Sequence, residues 1–371
     1  MTGAAATAPR SAVMVGTGLI GTSIALALRD RGTQVWLSDT DLAAARLAAE
    51  LGAGQVLPSG QSPGEPADVA VLAVPPGSVA TALAAAQQQH LATCYTDVAS
   101  VKELPLREAK AAGCDLTAFV PGHPMSGRER SGPAAARADL FAGQPWVICP
   151  ADESSDAGVA AVTELARVCG AQPVLMEPAE HDRWVALVSH VPHLVASAMA
   201  AQCANAPPGA LALAGPGLRD VTRIAASDAG LWTEILSANA SQAHEIIRGV
   251  IGQLGVAADA LASLAAGDDD AAKQLTAVLE TGREGVARIP GKRGGPAPEY
   301  AIVQVVIADS PGELARLFAA AGASGINIED VRIEHSPGLP VGVAELSVRP
   351  EAAQALAAAL AAAGWPVASP A

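Results

Sequence analysis

Short apolar runs alternate with longer stretches rich in alanine and leucine over residues 11–178. Runs at 12–15, 34–38, 69–73, 93–97, 116–120, 145–148 and 173–176 have the length of strands, while 20–30 and 42–51 repeat apolar residues at helical spacing. Strands alternating with helices predict a doubly wound, mainly parallel α/β sheet. Residues 179–289 hold no convincing strand. The stretches 182–203 and 233–254 place apolar residues at helical spacing, so this region is expected to be an all-helical second domain. Pro207-Pro208-Gly209 and Gly215-Pro216-Gly217 divide it into helices and a loop. Residues 290–298 are rich in glycine and proline, basic and without periodicity, which reads as a linker. Beyond it, over 299–371, the pattern resets to strand 300–307, helix 313–323, strands 326–334 and 341–348, helix 351–363 and a short strand 365–368. That order, βαββαβ, is the split-βαβ pattern of a ferredoxin-like fold.

Composition narrows the picture. Half of the residues are hydrophobic but only 3% are aromatic, so the cores must be built from alanine, valine and leucine. Alanine favours helix and buries little area per residue, which predicts many closely packed helices. A net charge of −14 argues against nucleic acid as a partner. It leaves an anionic small molecule open, because a few local arginines outweigh a diffuse field. Cys94, Cys114, Cys149, Cys169 and Cys203 are scattered without metal-ligand spacing, as expected in a reducing cytosol. The first ten residues form neither a charged-then-apolar signal nor a spanning segment, so the expectation is a cytoplasmic protein with no membrane partner.

The run 13–15 leads into Gly16-Thr17-Gly18-Leu19-Ile20-Gly21 and then into a helix. Strand, glycine turn and helix together form the Rossmann-type dinucleotide fingerprint. Gly16 permits the tight turn, Gly18 lets backbone approach a pyrophosphate, and Gly21 lets helix pack on strand. The helix start at Leu19 and Ile20 meets the phosphate charge. Asp39 lies 18 residues beyond Gly21, at the end of the second strand. A carboxylate there accepts hydrogen bonds from the adenosine ribose and repels a 2′-phosphate, which favours NAD over NADP. Asp41 reads as the cap of the next helix. The loop 74–77 forms a wall of the cofactor site.

Three segments carry candidate chemistry. The first is Asp97-Val98-Ala99-Ser100-Val101-Lys102. The second runs from Gly122-His123-Pro124-Met125-Ser126-Gly127 through Arg128, Glu129 and Arg130 to Ser131-Gly132. The third joins Glu180-His181-Asp182, Ser189-His190-Val191-Pro192-His193 and Asp220-Val221-Thr222-Arg223. A neutral imidazole that accepts a hydroxyl proton assists hydride loss from a carbinol carbon, and a guanidinium grips a carboxylate through paired donors. Other readings of the same residues are a helix cap for Ser100 and a surface ion pair for Arg223. His190 and His193 share a helical face, and Asp182 is a conceivable third metal ligand, but no cysteine or second carboxylate stands at ligand spacing, so no metal is expected.

These segments resemble the prephenate dehydrogenase family, arogenate-using members included, over nearly 290 residues. The resemblance implies NAD-dependent oxidative decarboxylation of prephenate to 4-hydroxyphenylpyruvate in tyrosine biosynthesis, or alternatively of arogenate to tyrosine. It places His123 on the catalytic histidine and Ser100 on a serine that hydrogen-bonds histidine and substrate. Arg223 falls on the arginine holding the ring carboxylate and His193 on a substrate-binding histidine. Glu129 is expected either to pair with an arginine or to line the substrate entrance. Arg128 departs from the Ser or Thr usual at its position. The resemblance also implies a homodimer formed through the helical domain. A β-hydroxyacid or imine reductase shares the two-domain plan, but the β-hydroxyacid enzymes use a helix lysine and the helical domain offers only Lys273. A third reading is a non-catalytic amino-acid sensor.

Asp309-Ser310-Pro311-Gly312 and Gly325-Ile326-Asn327-Ile328 look like an ACT regulatory domain over the last 70 or so residues. This implies an aromatic amino-acid effector, with Asp309, Pro311, Gly312 and Asn327 as its contacts.

Overall fold

The computed structural model describes residues 7–58, 60–127, 132–290, 300–335 and 340–368. They form two compact units, Met1–Ile251 and Gly252–Ala371, divided inside a long helix, Ala240–Ala265.

The first unit is built on a parallel sheet of strands β1 (Ser11–Val15), β2 (Gln34–Ser38), β3 (Gln55–Val56), β4 (Val69–Leu72) and β5 (Tyr95–Asp97), in the order β3-β2-β1-β4-β5. Both faces are covered, so alternate residues of one strand enter different cores. Ala12 and Met14 join one cluster with Ile24, Ala25 and Leu28 of α1 (Leu19–Arg29). Val13 joins the other with Val79 and Leu83 of α3 (Val79–Gln88) and Ala109 of α4 (Glu103–Ala111); α2 (Leu42–Glu50) packs on β2. Asp41 caps α2 by accepting from the Ala43 N–H. The order reverses between β1 and β4, the switch point where open α/β sheets bind ligands.

A second sheet follows, with β7 (Pro145–Ile148) antiparallel to β6 (Gly122–Pro124) and parallel to β8 (Gln172–Leu175). The helix α5 (Asp156–Val168) packs on it. Two expectations change here. The apolar run 116–120 makes a single bridge, from Phe119 to Tyr95, instead of a strand. The Asp115 carboxylate accepts from the Thr117 N–H and Oγ1, which closes a turn, and Pro121 has no N–H to extend pairing. Conversely, Gly122–Pro124 is a strand that three residues without a period could not announce.

Helices α6 (Pro178–Val185) and α7 (Val191–Cys203) are joined by a five-residue π turn, Ala186–His190, where an uninterrupted helix was expected. Short helices α8 (Pro208–Leu211) and α9 (Pro216–Thr222) lead to a 3-10 turn at Arg223–Ala226, then to α10 (Ala229–Ala238) and α11 (Ala240–Ala265). The expected helix 233–254 breaks at Asn239, whose side chain is used elsewhere: its Nδ2 donates to the Asp182 carbonyl at 2.7 Å. Two helical stretches, Pro178–Cys203 and Ala240–Ala265, are long and apolar enough to cross a membrane by length and composition. The first carries buried, hydrogen-bonded His181, Asp182 and His190, while α11 exposes Ile251, Leu254 and Leu261.

In the second unit α12 (Ala272–Ala287) precedes an antiparallel sheet. Strands β9 (Ala301–Ala308), β10 (Asp330–His335) and β11 (Val341–Val348) lie in the order β10-β11-β9, with α13 (Glu313–Ala323) and α14 (Pro350–Ala362) on one face. Val303, Val305 and Ile307 face those helices while Ile302 and Val306 stay exposed, the alternation of a one-sided sheet. The last strand is reduced to a bridge from Val367 to Val305, because Pro366 offers a carbonyl to the Val306 N–H but no donor in return. The strand expected from residue 326 starts only at Asp330; Ile326 and Ile328 pack against the core instead. Strand order and pairing are those of the split-βαβ pattern. Residues 291–299, most of the expected linker, lie outside the described residues.

The end of β5 is held by an ion pair with no exposed surface. Lys102 Nζ bonds the Asp97 carboxylate and also donates to the Gly122 carbonyl at 2.6 Å. Asp97 accepts further N–H groups from Ala99 at 3.0 Å and Gly122 at 3.2 Å. Removing one partner leaves the other charge buried and uncompensated. Lys102→Met is therefore expected to lower the unfolding free energy by about 3–5 kcal/mol, measured by urea denaturation; a change within ~0.5 kcal/mol would show that the site relaxes to admit water.

Candidate active site

The glycine turn can be tested against a dinucleotide through the space around each glycine. Gly16 has φ +100°, and a Cβ there would stand 2.2 Å from the Ala73 carbonyl oxygen, just past β4. A Cβ on Gly21 would stand 2.1 Å from the Gly16 carbonyl oxygen. Both glycines are therefore required to close the turn against the sheet. Gly18, at the N-cap of α1, meets nothing within 4 Å, so backbone is open to an approaching phosphate. Leu19 and Ile20 form the first turn of α1.

Asp39 follows β2, and its carboxylate is already oriented. Oδ2 accepts from the Thr17 N–H at 2.6 Å and the Thr17 hydroxyl at 2.8 Å, and Oδ1 accepts from the Asp41 N–H at 2.8 Å. A carboxylate has about four acceptor sites, so capacity remains on a group fixed beside the glycine turn. These residues fit NAD.

His123 sits in β6, where Gly122 is tied to Asp97 and Lys102. Its Nδ1 lies 2.8 Å from His181 Nε2, and His181 Nδ1 lies 2.7 Å from Asp182 Oδ1. Asp182 in turn accepts the backbone N–H groups of Lys102 at 2.7 Å and Glu103 at 2.9 Å, which open α4. No side chain of α4's own N-cap residue caps it; Asp182 does so from α6. Burial, followed by the nearby His181, Lys102 and His190, pushes the His123 imidazole well below its usual pKa of 6.5. Burial also lowers His181, although its bond to Asp182 opposes the shift. His190 is pushed down to about 4, chiefly by burial, and its Nδ1 lies 3.1 Å from Asn239 Nδ2. All three rings are neutral near pH 7.

Ser100 does not cap α4, whose N-cap is Lys102. Its buried Oγ has no hydrogen-bond partner among the described residues, and the same holds for Ser126 Oγ and His193 Nδ1. A buried polar atom without a partner costs about 1–3 kcal/mol, so such a set marks groups that a bound molecule would satisfy. His193 is stacked on Trp232, ring centroids 3.7 Å apart and 9° from parallel, and burial lowers its pKa. The helix bearing Trp232, α10, packs against the turn Pro76–Ser78 at the cofactor wall, and the turn that begins with Arg223 packs against α7, the helix of His193. Arg223 itself is exposed. Glu129 and Arg128 lie outside the described residues. Among those described, no group of three His, Cys, Asp or Glu side chains could hold a metal ion.

Sequence reasoning placed Lys102, His181 and Asp182 in candidate segments without a role in the reaction, and did not single out Asn239 or Trp232. The available signal was a histidine–aspartate pair on an apolar helical stretch, which must find partners when buried.

In the second unit the expected effector residues do not share one cavity. Asn327 lines a cavity of about 490 Å³ with Gly325, Ile326, Glu329, Arg349, Glu351 and Ala352. Asp309 lines a smaller one of about 80 Å³, and Pro311 and Gly312 line neither. The Asn327 amide donates to Glu329 at 2.9 Å.

Residues 24–175 match the family model described as prephenate dehydrogenase, nucleotide-binding domain, and residues 177–280 the one described as prephenate dehydrogenase, dimerization domain. A probable prephenate dehydrogenase of Streptomyces niveus is 38% identical over 362 residues, covering 96% of this chain and 99% of that protein. The prephenate dehydrogenase of Bacillus subtilis is 28% identical over 329 residues, covering 86% and 87%. Among solved structures, prephenate dehydrogenase from A. aeolicus, in complex with hydroxyphenyl propionate and NAD+, shares the fold with a TM-score of 0.64. It is 24% identical and covers 74% of this chain and 98% of its own.

The glycine geometry separates two substitutions. Gly21→Ala should lower the thermal midpoint, as overpacking of about 1–3 kcal/mol demands. Gly18→Ala should leave that midpoint unchanged and weaken NAD+ binding, read by calorimetry. Equal effects of the two on both measurements would contradict the separation.

Proposed function

The chain belongs to the prephenate dehydrogenase family, and from that membership we propose which of its residues carry the reaction. It is an NAD-dependent oxidoreductase that converts prephenate to 4-hydroxyphenylpyruvate with loss of CO₂. Bound NAD+ supplies the hydride acceptor. Gly16, Gly18, Leu19, Ile20 and Gly21 hold its pyrophosphate, and Asp39 its ribose. The hydride leaves the ring carbon that bears the hydroxyl, the ring carboxylate departs as CO₂, and the ring becomes aromatic. The hydroxyl hydrogen reappears in the product phenol. The base must therefore take that proton during hydride loss and return it to the oxygen afterwards.

His123 is that base. The observation that carries this assignment is its environment: a ring kept neutral by burial, hydrogen-bonded through Nδ1, with Nε2 making no hydrogen bond among the described residues. Ser100 orients imidazole and substrate through its unpartnered hydroxyl. Arg223 holds the ring carboxylate and His193 a further polar group of the substrate; Glu129 lines the entrance on the strength of its sequence position. No described residue of the site favours arogenate over prephenate.

The division into nucleotide (11–178), helical (179–289) and regulatory (299–371) domains is part of the same proposal. So are a cytoplasmic location and a homodimer in which a second copy covers the exposed Leu254 and Leu261 of α11, within the region matched by the dimerization model. The C-terminal split-βαβ unit acts as an ACT domain. Its larger cavity, bearing Arg349 and Asn327, takes the carboxylate and amine of an aromatic amino acid, tyrosine first as the end product.

His123→Asn is expected to reduce kcat by roughly 10²–10⁴-fold with NAD+ affinity retained; near-normal turnover removes the assignment. Because the folded pKa is lowered and the neutral ring is the active form, kcat/KM should lose activity only as pH falls well below 6.5. An acid limb centred at or above 6.5 would contradict this. For the regulatory unit, calorimetric titration of tyrosine, phenylalanine and tryptophan should show one binding to the full chain, and Arg349→Ala should weaken it roughly tenfold, about 1.4 kcal/mol. No heat from any of the three would end the effector reading.

A further inference from the structure

We propose that His181 and Asp182 form a positioning relay behind His123, which fixes the ring nitrogen that receives the substrate proton and shares the charge while the proton is held. This rests on His123 being the base.

The hydrogen-bond directions follow from the fixed donors. Both Asp182 oxygens face backbone N–H groups, Oδ1 that of Lys102 and Oδ2 that of Glu103. Those groups can only donate, and two such donors on one carboxyl group favour its ionised, accepting form. Asp182 is held as an acceptor at the N-terminus of α4, where negative charge is favoured. His181 Nδ1, 2.7 Å from Oδ1, must then carry the proton. His181 is buried and neutral, so it has one proton and its Nε2 is bare. The contact of 2.8 Å to His123 Nδ1 makes that nitrogen the donor. His123 Nε2 is left with the lone pair. Three residues on β6 and α6 thus select one tautomer out of two, as the orienting carboxylate does in hydrolytic triads.

The same array accommodates the transferred proton. When the substrate O–H breaks and the N–H forms at His123 Nε2, the ring becomes imidazolium. Its Nδ1 proton then shifts toward His181 Nε2, which moves positive charge toward Asp182. Both steps reverse when the proton returns to the oxygen. The surrounding groups suit a transient charge. His190 is neutral, Asn239 donates to the Asp182 carbonyl, and Lys102 is matched by Asp97. Lys102 still opposes positive charge on both rings, which favours return of the proton.

Two substitutions and one spectrum test the relay on the full-length protein. His181→Phe removes the acceptor for His123 and should lower kcat roughly 10²-fold, with NAD+ affinity near that of the wild type. His181→Gln puts an amide oxygen where Nε2 stood, keeping an acceptor that cannot carry a proton; it should recover about tenfold over the phenylalanine variant. Nitrogen-15 shifts of the histidine rings should show His123 protonated at Nδ1 and bare at Nε2, with that preference lost in His181→Phe. Wild-type turnover in His181→Phe, glutamine no better than phenylalanine, or a wild-type His123 protonated at Nε2 would each overturn the relay. Failure of the base assignment itself is distinct: there His123→Asn stays active whatever the nitrogen shifts report.

Discussion

A lysine and an aspartate with no exposed surface hold the catalytic half of this molecule together. Lys102 and Asp97 neutralise each other, and their spare valences are filled by Gly122 and Ala99 backbone groups. Desolvating two charges is unfavourable, and such a pair persists only where geometry and further hydrogen bonds compensate. Here the compensation comes from three different elements. The end of β5, the start of α4 and the start of β6 are fixed to one point, and His123 is the residue after Gly122.

A second cross-link leaves the same short segment. The backbone N–H groups of Lys102 and Glu103 capture Asp182, which lies 80 residues further along the chain from Lys102. One helix N-terminus therefore docks α6 and positions His181 against His123. Regular helix geometry gives way nearby, at the π turn 186–190 and at Asn239. Both irregularities serve buried polar groups: His190 and Asn239 are bonded to each other, and Asn239 to the Asp182 carbonyl. Interruptions of this kind concentrate where function requires particular side-chain directions.

The alanine-rich composition acts at longer range. Small side chains fill the space between sheet and helices with little apolar area each, and the helical region leaves leucines and isoleucines on its surface. A net charge of −14 leaves room for an anionic substrate, because a few local groups outweigh a diffuse field.

Periodicity and turn chemistry made much of this legible in advance. β2, β7, β11 and α13 were read with their observed bounds, and the Gly16–Gly21 turn, Asp39 and the Asp41 cap stand where strand and helix signals put them. Those features depend on neighbours in sequence, such as alternation on a pleated strand, a backbone needing φ > 0, or an oxygen two residues from an N–H. His123 and Ser100 were singled out by residue type and family pattern, but the contact of His123 with His181 was not foreseen. Ser100 reads as a helix cap until Asp182 is seen to take that task, and β6 is too short to carry a period. His181, Asp182 and Asn239 gain their meaning from hydrogen bonds to residues 49–80 positions away. No local rule encodes such a pairing, because it arises only when buried polar groups from separate elements must satisfy one another away from water.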